Sequence, residues 1–185
     1  MSVITIVTGL PRSGTSLMMQ ILKNIPLEII TDNHRKSDVN NPEGYYEFEA
    51  VKGILKNNQF LKDCQGKGIK IVAPLVQFID LKLNYKVIFM RRHMEEILLS
   101  QEKMLGKDQS SERAKFKAIY ELHLKKTIEF LKLNKIPFIE IEYRNLVNTT
   151  EEEIEKILQF LEMNGDKQLL IKQVNDKHYR NRSEI

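Results

Sequence analysis

The sequence predicts an α/β fold of three layers, α/β/α, with a central, mostly parallel sheet of about four or five strands. Two observations lead to this prediction. Short β-rich runs alternate with helical patterns along the chain, as in parallel α/β proteins. The runs are also nearly continuously apolar, which is typical of central strands that helices cover on both faces.

The strands are predicted from apolar runs that turn residues bound. The first run, VITIVT, spans residues 3–8 and ends at Gly9. The other runs are LEII (27–30), IKIVA (69–73), YKVIFMR (85–91) and FIEIEY (138–143). Because parallel sheets gather ligands at the carboxyl ends of their strands, we expect the functional residues to follow these runs.

Helices are predicted between the strands, where apolar residues recur at helical spacing. One helix begins at about Ser13 and ends before Pro26. A long helix spans residues 111–133. A further helix begins with a capping box that Thr150 and Glu153 form.

Composition describes an ordinary globular chain of 185 residues, 42% hydrophobic and 29% charged, which we assign to a single domain, 1–185. The net charge is +4, but lysines alternate with glutamates, so no nucleic-acid partner is expected. No apolar run is long enough for a membrane span. The single cysteine, Cys64, suits a reduced compartment, and we expect a cytoplasmic protein with no membrane partner.

The loop GLPRSGTS follows the first strand and favours an anion, because its glycines let backbone N–H groups converge at a helix start. It has the outline of the P-loop of nucleoside triphosphatases, G-x-x-x-x-G-K-[ST], but Thr15 replaces the lysine. Arg12 supplies a cation inside the loop instead. A tight turn in which Ser13 only caps the helix is the structural alternative.

A metal-dependent phosphate site is disfavoured at the end of the predicted strand 85–91. A triphosphatase places an aspartate at such a position to hold Mg²⁺. The strand YKVIFM ends instead at Arg91 and Arg92, and no pair of histidines has metal-ligand spacing. The sequence therefore predicts a metal-free site for an anion with more than one charged end.

The stretch PRSGTSL resembles the 5′-phosphosulfate loop of sulfotransferases, which has the form Pro-[Lys/Arg]-Ser-Gly-Thr-[Thr/Ser]. These enzymes (EC 2.8.2.-) use 3′-phosphoadenosine 5′-phosphosulfate (PAPS) as co-substrate and release 3′,5′-adenosine bisphosphate (PAP). The resemblance implies a P-loop-like fold and metal-independent transfer. The residues that it implies in nucleotide binding are Arg12, Ser13, Gly14, Thr15 and Ser16.

Two further motifs of this family occur in the expected order. RHMEEILLS supplies Arg92 at a strand end and Ser100 eight residues later, a pair that the resemblance implies in binding the 3′-phosphate. Arg91 then has a supporting or a surface role. IEYRNLVNTTEEEIEKILQFL is similar to the family's Tyr-Glu-Asp-Leu segment and helix, which implies that Tyr143 contacts the adenine. The alternative for Tyr143 is an aromatic ring packed under the helix.

The general base is where the chain departs from the family. Cytosolic members use the histidine of a Lys-Thr-His-x-Pro run, and the nearest counterpart, KIVAP, has Val72 at that place. Some bacterial and Golgi-type relatives use a glutamate near NNPEGYYEFE, which makes Glu47 our catalytic candidate together with Arg12. A carboxylate that only complements a helix dipole is the alternative for Glu47. Weaker candidates for the base are Glu49, Glu43 and His34, and Tyr45 and Tyr46 either line the acceptor pocket or pack in the core.

The end of the chain lacks the Arg-Lys-Gly-x-x-Gly loop that closes the 3′-phosphate site in many relatives. Its polar, basic tail, 176–185, offers Arg180 as a nucleotide-binding substitute, with Lys177 and Arg182 beside it; a disordered tail is the alternative. The sequence thus favours sulfuryl transfer from PAPS to a hydroxyl or amine of a small molecule or glycan. An inactive nucleotide-binding module on the same fold and, less favoured, a P-loop small-molecule kinase are the alternatives.

Overall fold

A computed structural model describes residues 2–32, 34, 37, 38, 41 and 44–174. The described strands form one parallel sheet in the order β2-β1-β3-β4. They are β1 (Ile4–Gly9), β2 (Gly68–Lys70), β3 (Tyr85–Arg91) and β4 (Phe138–Glu142). The predicted α/β fold class and its parallel sheet are therefore confirmed.

α-Helices follow β1, β3 and β4. Within the described ranges they are α1 (Thr15–Leu22), α2 (Met94–Leu105), α3 (Arg113–Leu133), α4 (Tyr143–Asn148), α5 (Thr150–Leu161) and α6 (Lys167–Gln173). The link from α1 to β2 carries two short 3₁₀ turns, Glu49–Gly53 and Gln59–Cys64. A third, Leu75–Phe78, follows β2, and a fourth, Ser110–Glu112, leads into α3.

Both faces of the sheet are covered, because side chains alternate between the faces along each strand. On one face Val7 and Ile88 pack with residues of α1, α5 and α6, such as Met18. On the other face Ile6 and Phe89 pack with residues of α3 and of the 3₁₀ turns. Complete burial of side chains of this size contributes about 1.5–3 kcal/mol each, which fixes the strand ends that carry the site.

Three of the predicted strands need correction. The run 69–73 is a strand only as Gly68–Lys70, so its last three residues lie beyond β2. Residues 27–30 form no strand; Ile29 makes a single parallel bridge to Gly68, because β2 is too short to pair with a further strand over its length. The last strand ends at Glu142, and Tyr143 begins α4 instead of extending β4.

The predicted helix caps also need correction. The Ser13 hydroxyl does not cap α1; it donates to the Leu10 carbonyl, and Gly14 is the capping residue. The capping box at Thr150 and Glu153 is likewise absent. Because α4 runs almost directly into α5, Thr149 becomes the capping residue and the Thr150 hydroxyl donates back to Val147.

The single cysteine lies in the core of the protein. Cys64 is buried, and burial raises the pKa of its thiol to about 11, which keeps the thiol protonated at neutral pH.

In the part of the chain that the structure describes, no helix is long and apolar enough to cross a bilayer. The predicted tail, 176–185, lies outside the described residues.

Candidate functional site

The loop between β1 and α1 is a closed backbone turn at the carboxyl end of β1. Gly9 has φ +145°, and a Cβ atom there would lie 2.5 Å from the Ser13 hydroxyl and 2.6 Å from the Met90 carbonyl. The Ser13 amide and hydroxyl both donate to the Leu10 carbonyl, at 3.1 and 2.7 Å. Glycine and this double hydrogen bond therefore fix the curvature of the loop.

The loop leads into α1 through Gly14, which has φ +99°. A Cβ atom at Gly14 would lie 2.4 Å from Cδ2 of Tyr143, so the backbone approaches that ring closely. The first amide groups of any α-helix have no partner within the helix and carry the positive end of its dipole. The start of α1, at Thr15 and Ser16, thus lies directly after the loop at the carboxyl end of β1, and anion binding there stays a prediction.

Arg12 joins this loop to α2. Its φ of +71° is in the left-handed region, which is uncommon for a residue with a side chain and costs about 1 kcal/mol. Its Nε donates to the Ser100 hydroxyl at 3.0 Å, and its Nη1 lies 3.8 Å from the sulfur of Met104. The first and second motifs, separated by 88 residues in sequence, are therefore in direct contact.

Arg92 joins the same loop to the other two motifs. Its Nη1 donates to the Arg12 carbonyl at 3.1 Å, and its Nε donates to Oε2 of Glu96 at 2.9 Å. Its guanidinium carbon lies 4.6 Å from the centre of the Tyr143 ring, a cation–π contact. The structure thus brings the three predicted nucleotide motifs into one cluster, which we call the arginine cluster: Arg12, Arg92, Glu96, Ser100 and Tyr143.

Tyr143 is buried in the arginine cluster, with 5% of its surface exposed. Burial raises the pKa of its hydroxyl, and the positive charge of Arg92 opposes that rise. Its ring packs between Gly14 and Arg92, which agrees with the packing alternative. A contact between Tyr143 and adenine stays a prediction.

Glu47 lies on the β2 side of the loop, in contact with a buried lysine. Its Oε1 is 3.5 Å from Nζ of Lys70, whose side chain is only 4% exposed. Lys70 also donates to the Tyr45 carbonyl, which accepts a hydrogen bond of 3.4 Å from the Ser16 hydroxyl. The segment that carries Glu47 is therefore tied to the first turn of α1.

The remaining predicted residues lie outside the arginine cluster. Arg91 contacts Glu140 and Glu142 on the neighbouring strand, at 3.5 and 4.0 Å. Glu49 is exposed and pairs with Lys52, which makes it a weaker candidate base by position. His34 is exposed beside Asp32, and the Tyr45 hydroxyl donates to Asp38. The predicted Glu43, Lys177, Arg180 and Arg182 lie outside the described residues.

A cavity of about 480 Å³ opens beside Arg92, at the carboxyl ends of β3 and β4. This volume is in the range of small-molecule sites. Burial raises the pKa of Glu142, and the nearby Arg91 opposes the rise. The lining residues are Arg91, Arg92, His93, Met94, Glu96, Glu121, Leu124, Glu142, Arg144 and Asn145.

Sequence reasoning missed Lys70, Glu96 and Arg144. A signal for Lys70 was present, because KIVAP aligns it with the lysine of the Lys-Thr-His-x-Pro run. Glu96 lies four residues after Arg92 on one helix face, a spacing that permits an ion pair. Arg144 directly follows the predicted Tyr143. Among the described residues no group of three or more His, Cys, Asp or Glu side chains is placed to hold a metal ion.

Comparison with known proteins finds likeness in structure alone, since no protein-family model and no curated protein matches the chain in sequence. Mouse sulfotransferase SULT7A1, complexed with PAP, aligns with 98% of this chain and 66% of its own, at 12% identity and TM-score 0.61. The sulfotransferase domain from the curacin biosynthetic pathway aligns with 95% of this chain and 78% of its own, at 13% identity and TM-score 0.55. That of the Synechococcus PCC 7002 olefin synthase aligns with 97% and 82%, at 15% identity and TM-score 0.52.

These identities are too low to carry a shared activity, and the chain spans just under two thirds of the mouse enzyme. The likeness nevertheless extends over nearly the whole of this chain in three separate structures. The resemblance that the three motifs indicate is therefore confirmed at the level of the fold. The chain has the α/β fold of the sulfotransferases.

Proposed function

We propose that this protein is a PAPS-dependent sulfotransferase that transfers a sulfuryl group to a hydroxyl or amine of a small molecule or glycan. The observation that carries the proposal is the arginine cluster. Arg12 and Arg92, from separate motifs, meet with Ser100 at the carboxyl ends of β1 and β3. Two arginines at this place suit an anion with two charged ends.

The residues present fit such a nucleotide. The loop backbone from Ser13 to Ser16 and the Arg12 guanidinium are donors suited to the 5′-phosphosulfate. Arg92 and Ser100 are donors suited to the 3′-phosphate, and the adjacent cavity of about 480 Å³ is large enough for an adenosine. The fold also supports the proposal, because the mouse sulfotransferase that this chain resembles in structure is complexed with PAP.

Bound PAPS would supply an activated sulfuryl group, and the chain has to position it and stabilise charge. In-line transfer forms a bond from the acceptor atom to sulfur and breaks the bond to the bridging phosphate oxygen, whose electron pair leaves with PAP. The Arg12 guanidinium stabilises the charge on that oxygen. Glu47 accepts the proton of the acceptor, while Lys70, at 3.5 Å, holds the Glu47 carboxylate in place.

The proposal is tested with radiolabelled PAPS and a panel of a phenol, an aliphatic alcohol, a primary amine and a simple sugar, without metal. We expect label on at least one acceptor. Arg92→Ala is expected to raise the KM for PAPS by about 10- to 100-fold with a smaller effect on kcat, because charged hydrogen bonds to phosphate are lost.

The control is Arg113→Ala, which removes an arginine that pairs with Glu102 at 2.6 Å, away from the loop. It should leave the KM unchanged, and thermal unfolding checks that both variants fold. PAP binding without label on any acceptor would favour the inactive nucleotide-binding module. Transfer of phosphate from ATP with Mg²⁺ would favour the kinase and contradict the proposal.

A further inference from the structure

Glu96 is a buried carboxylate that the proposed chemistry does not use. It lies in the first turn of α2, and its side chain is 2% exposed. Its Oε2 accepts the hydrogen bond from Nε of Arg92 at 2.9 Å, and the Arg92 side chain is itself only 7% exposed. Arg92, which we propose binds the 3′-phosphate, therefore already forms an ion pair with a carboxylate of the protein.

The geometry around Arg92 places this carboxylate next to the proposed ligand. Glu96 and Arg92 both line the cavity of about 480 Å³. Tyr143 on one side and the Arg12 carbonyl on another hold the guanidinium in position. An anion that enters the cavity therefore meets a fixed arginine and, beside it, a negative charge that repels the anion.

We infer that Glu96 is a specificity-determining residue that limits how tightly Arg92 holds a nucleotide 3′-phosphate. The inference rests on the proposed function. In the free protein Glu96 compensates the buried guanidinium, and its loss would remove this compensating charge, which destabilises proteins strongly. A 3′-phosphate would then supply the missing negative charge, so the same loss would tighten its binding. Retention of the product PAP is the property that this carboxylate would restrain.

The test is Glu96→Gln, which keeps the size of the side chain and a hydrogen-bond acceptor for Arg92 but removes the charge. Calorimetric titration with PAP and with AMP isolates the 3′-phosphate, because AMP lacks it. We expect the PAP dissociation constant to fall about tenfold, with AMP binding unchanged. The melting temperature of the free protein should fall by roughly 5 °C or more. The variant would thus bind PAP more tightly than the wild type, while its ligand-free form would be less stable.

The matched control is Glu95→Gln. Glu95 stands in the same first turn of α2 and has the same charge, but it is 42% exposed in its side chain and faces Lys117 at 3.7 Å. It should change neither the ratio of PAP to AMP affinity nor the melting temperature appreciably. Glu95→Gln therefore measures the effect of removing a negative charge near the positive end of the helix dipole.

Glu96→Asp keeps the charge but withdraws it by one methylene, and it decides the question if Glu96→Gln does not fold. It should raise the preference for PAP over AMP about threefold. An unchanged or lower preference in the variants that fold would mean a purely structural role and overturn the inference. A wild-type protein that does not prefer PAP to AMP would overturn the proposed function as well, which distinguishes the two failures.

Discussion

Arg12→Ala is expected to lower kcat for sulfuryl transfer by about 10²–10³, because preorganised donors to a developing oxyanion are typically worth this factor. Arg12 is the cation inside the loop, and its contact with Ser100 at 3.0 Å places it at the junction of the two proposed phosphate sites. The measurement is steady-state kinetics with labelled PAPS and whichever acceptor of the panel is sulfated. PAP affinity should fall by a smaller factor, because the loop backbone and Arg92 remain.

Arg12→Lys is the informative companion variant. It keeps the positive charge but loses the planar fork and the Nε that contacts Ser100. We expect kcat between those of the wild type and Arg12→Ala. If Arg12→Ala keeps wild-type kcat while the protein is folded, another cation stabilises the leaving group, and Lys70 becomes the first candidate.

Glu47→Gln is expected to lower kcat by about 10²–10⁴, the range for loss of a general base. The change leaves the backbone contacts of this segment intact, since the Glu47 carbonyl accepts from the Thr31 hydroxyl at 2.9 Å and from the Asp32 amide at 3.3 Å. PAP affinity should change little, because Glu47 lies on the β2 side, opposite the arginine cluster. Kinetics and PAP titration on the same preparation separate the two effects.

Glu49→Gln is the matched control for Glu47→Gln. Glu49 lies two residues further on, is exposed and pairs with Lys52 at 2.7 Å. It should retain full activity. Full activity in Glu47→Gln would show that the base assignment is wrong while leaving the nucleotide site intact, and a loss confined to Glu49→Gln would move the base there.

The sheet was predictable because its signal is local. β3 matches the run 85–91 residue for residue, β1 is shifted by one residue at each end of the run 3–8, and β4 is one residue shorter than the run 138–143. Residues 27–30 have the same composition but lack a partner strand of sufficient length, which no local pattern reveals. The prediction of the capping box was wrong for a related reason. Because α4 directly precedes α5, the Thr150 hydroxyl donates back to the Val147 carbonyl and does not cap α5.

The motifs of the candidate site could be predicted from the sequence, but the contacts between their side chains could not. The loop and Arg92 directly follow β1 and β3, so their meeting at the carboxyl ends of the strands follows from parallel topology. Ser100 lies in α2, the helix after β3. In sequence Lys70 looks like a strand residue apart from its alignment with the lysine of the Lys-Thr-His-x-Pro run, and its 4% side-chain exposure and its contact with Glu47 are known only from the structure. Glu96 similarly looks like a first-turn acid that complements a helix dipole, until the structure pairs it with Arg92.

The loop is proposed to bind a phosphosulfate nucleotide with Arg12 in place of the missing lysine. The most direct test is calorimetric titration of the purified protein with PAP in the absence of metal, compared with ATP plus Mg²⁺ and with AMP. We expect tight binding of PAP, weaker binding of AMP by about tenfold or more, and little binding of ATP with Mg²⁺. A preference for ATP with Mg²⁺, or no binding of PAP, would contradict it.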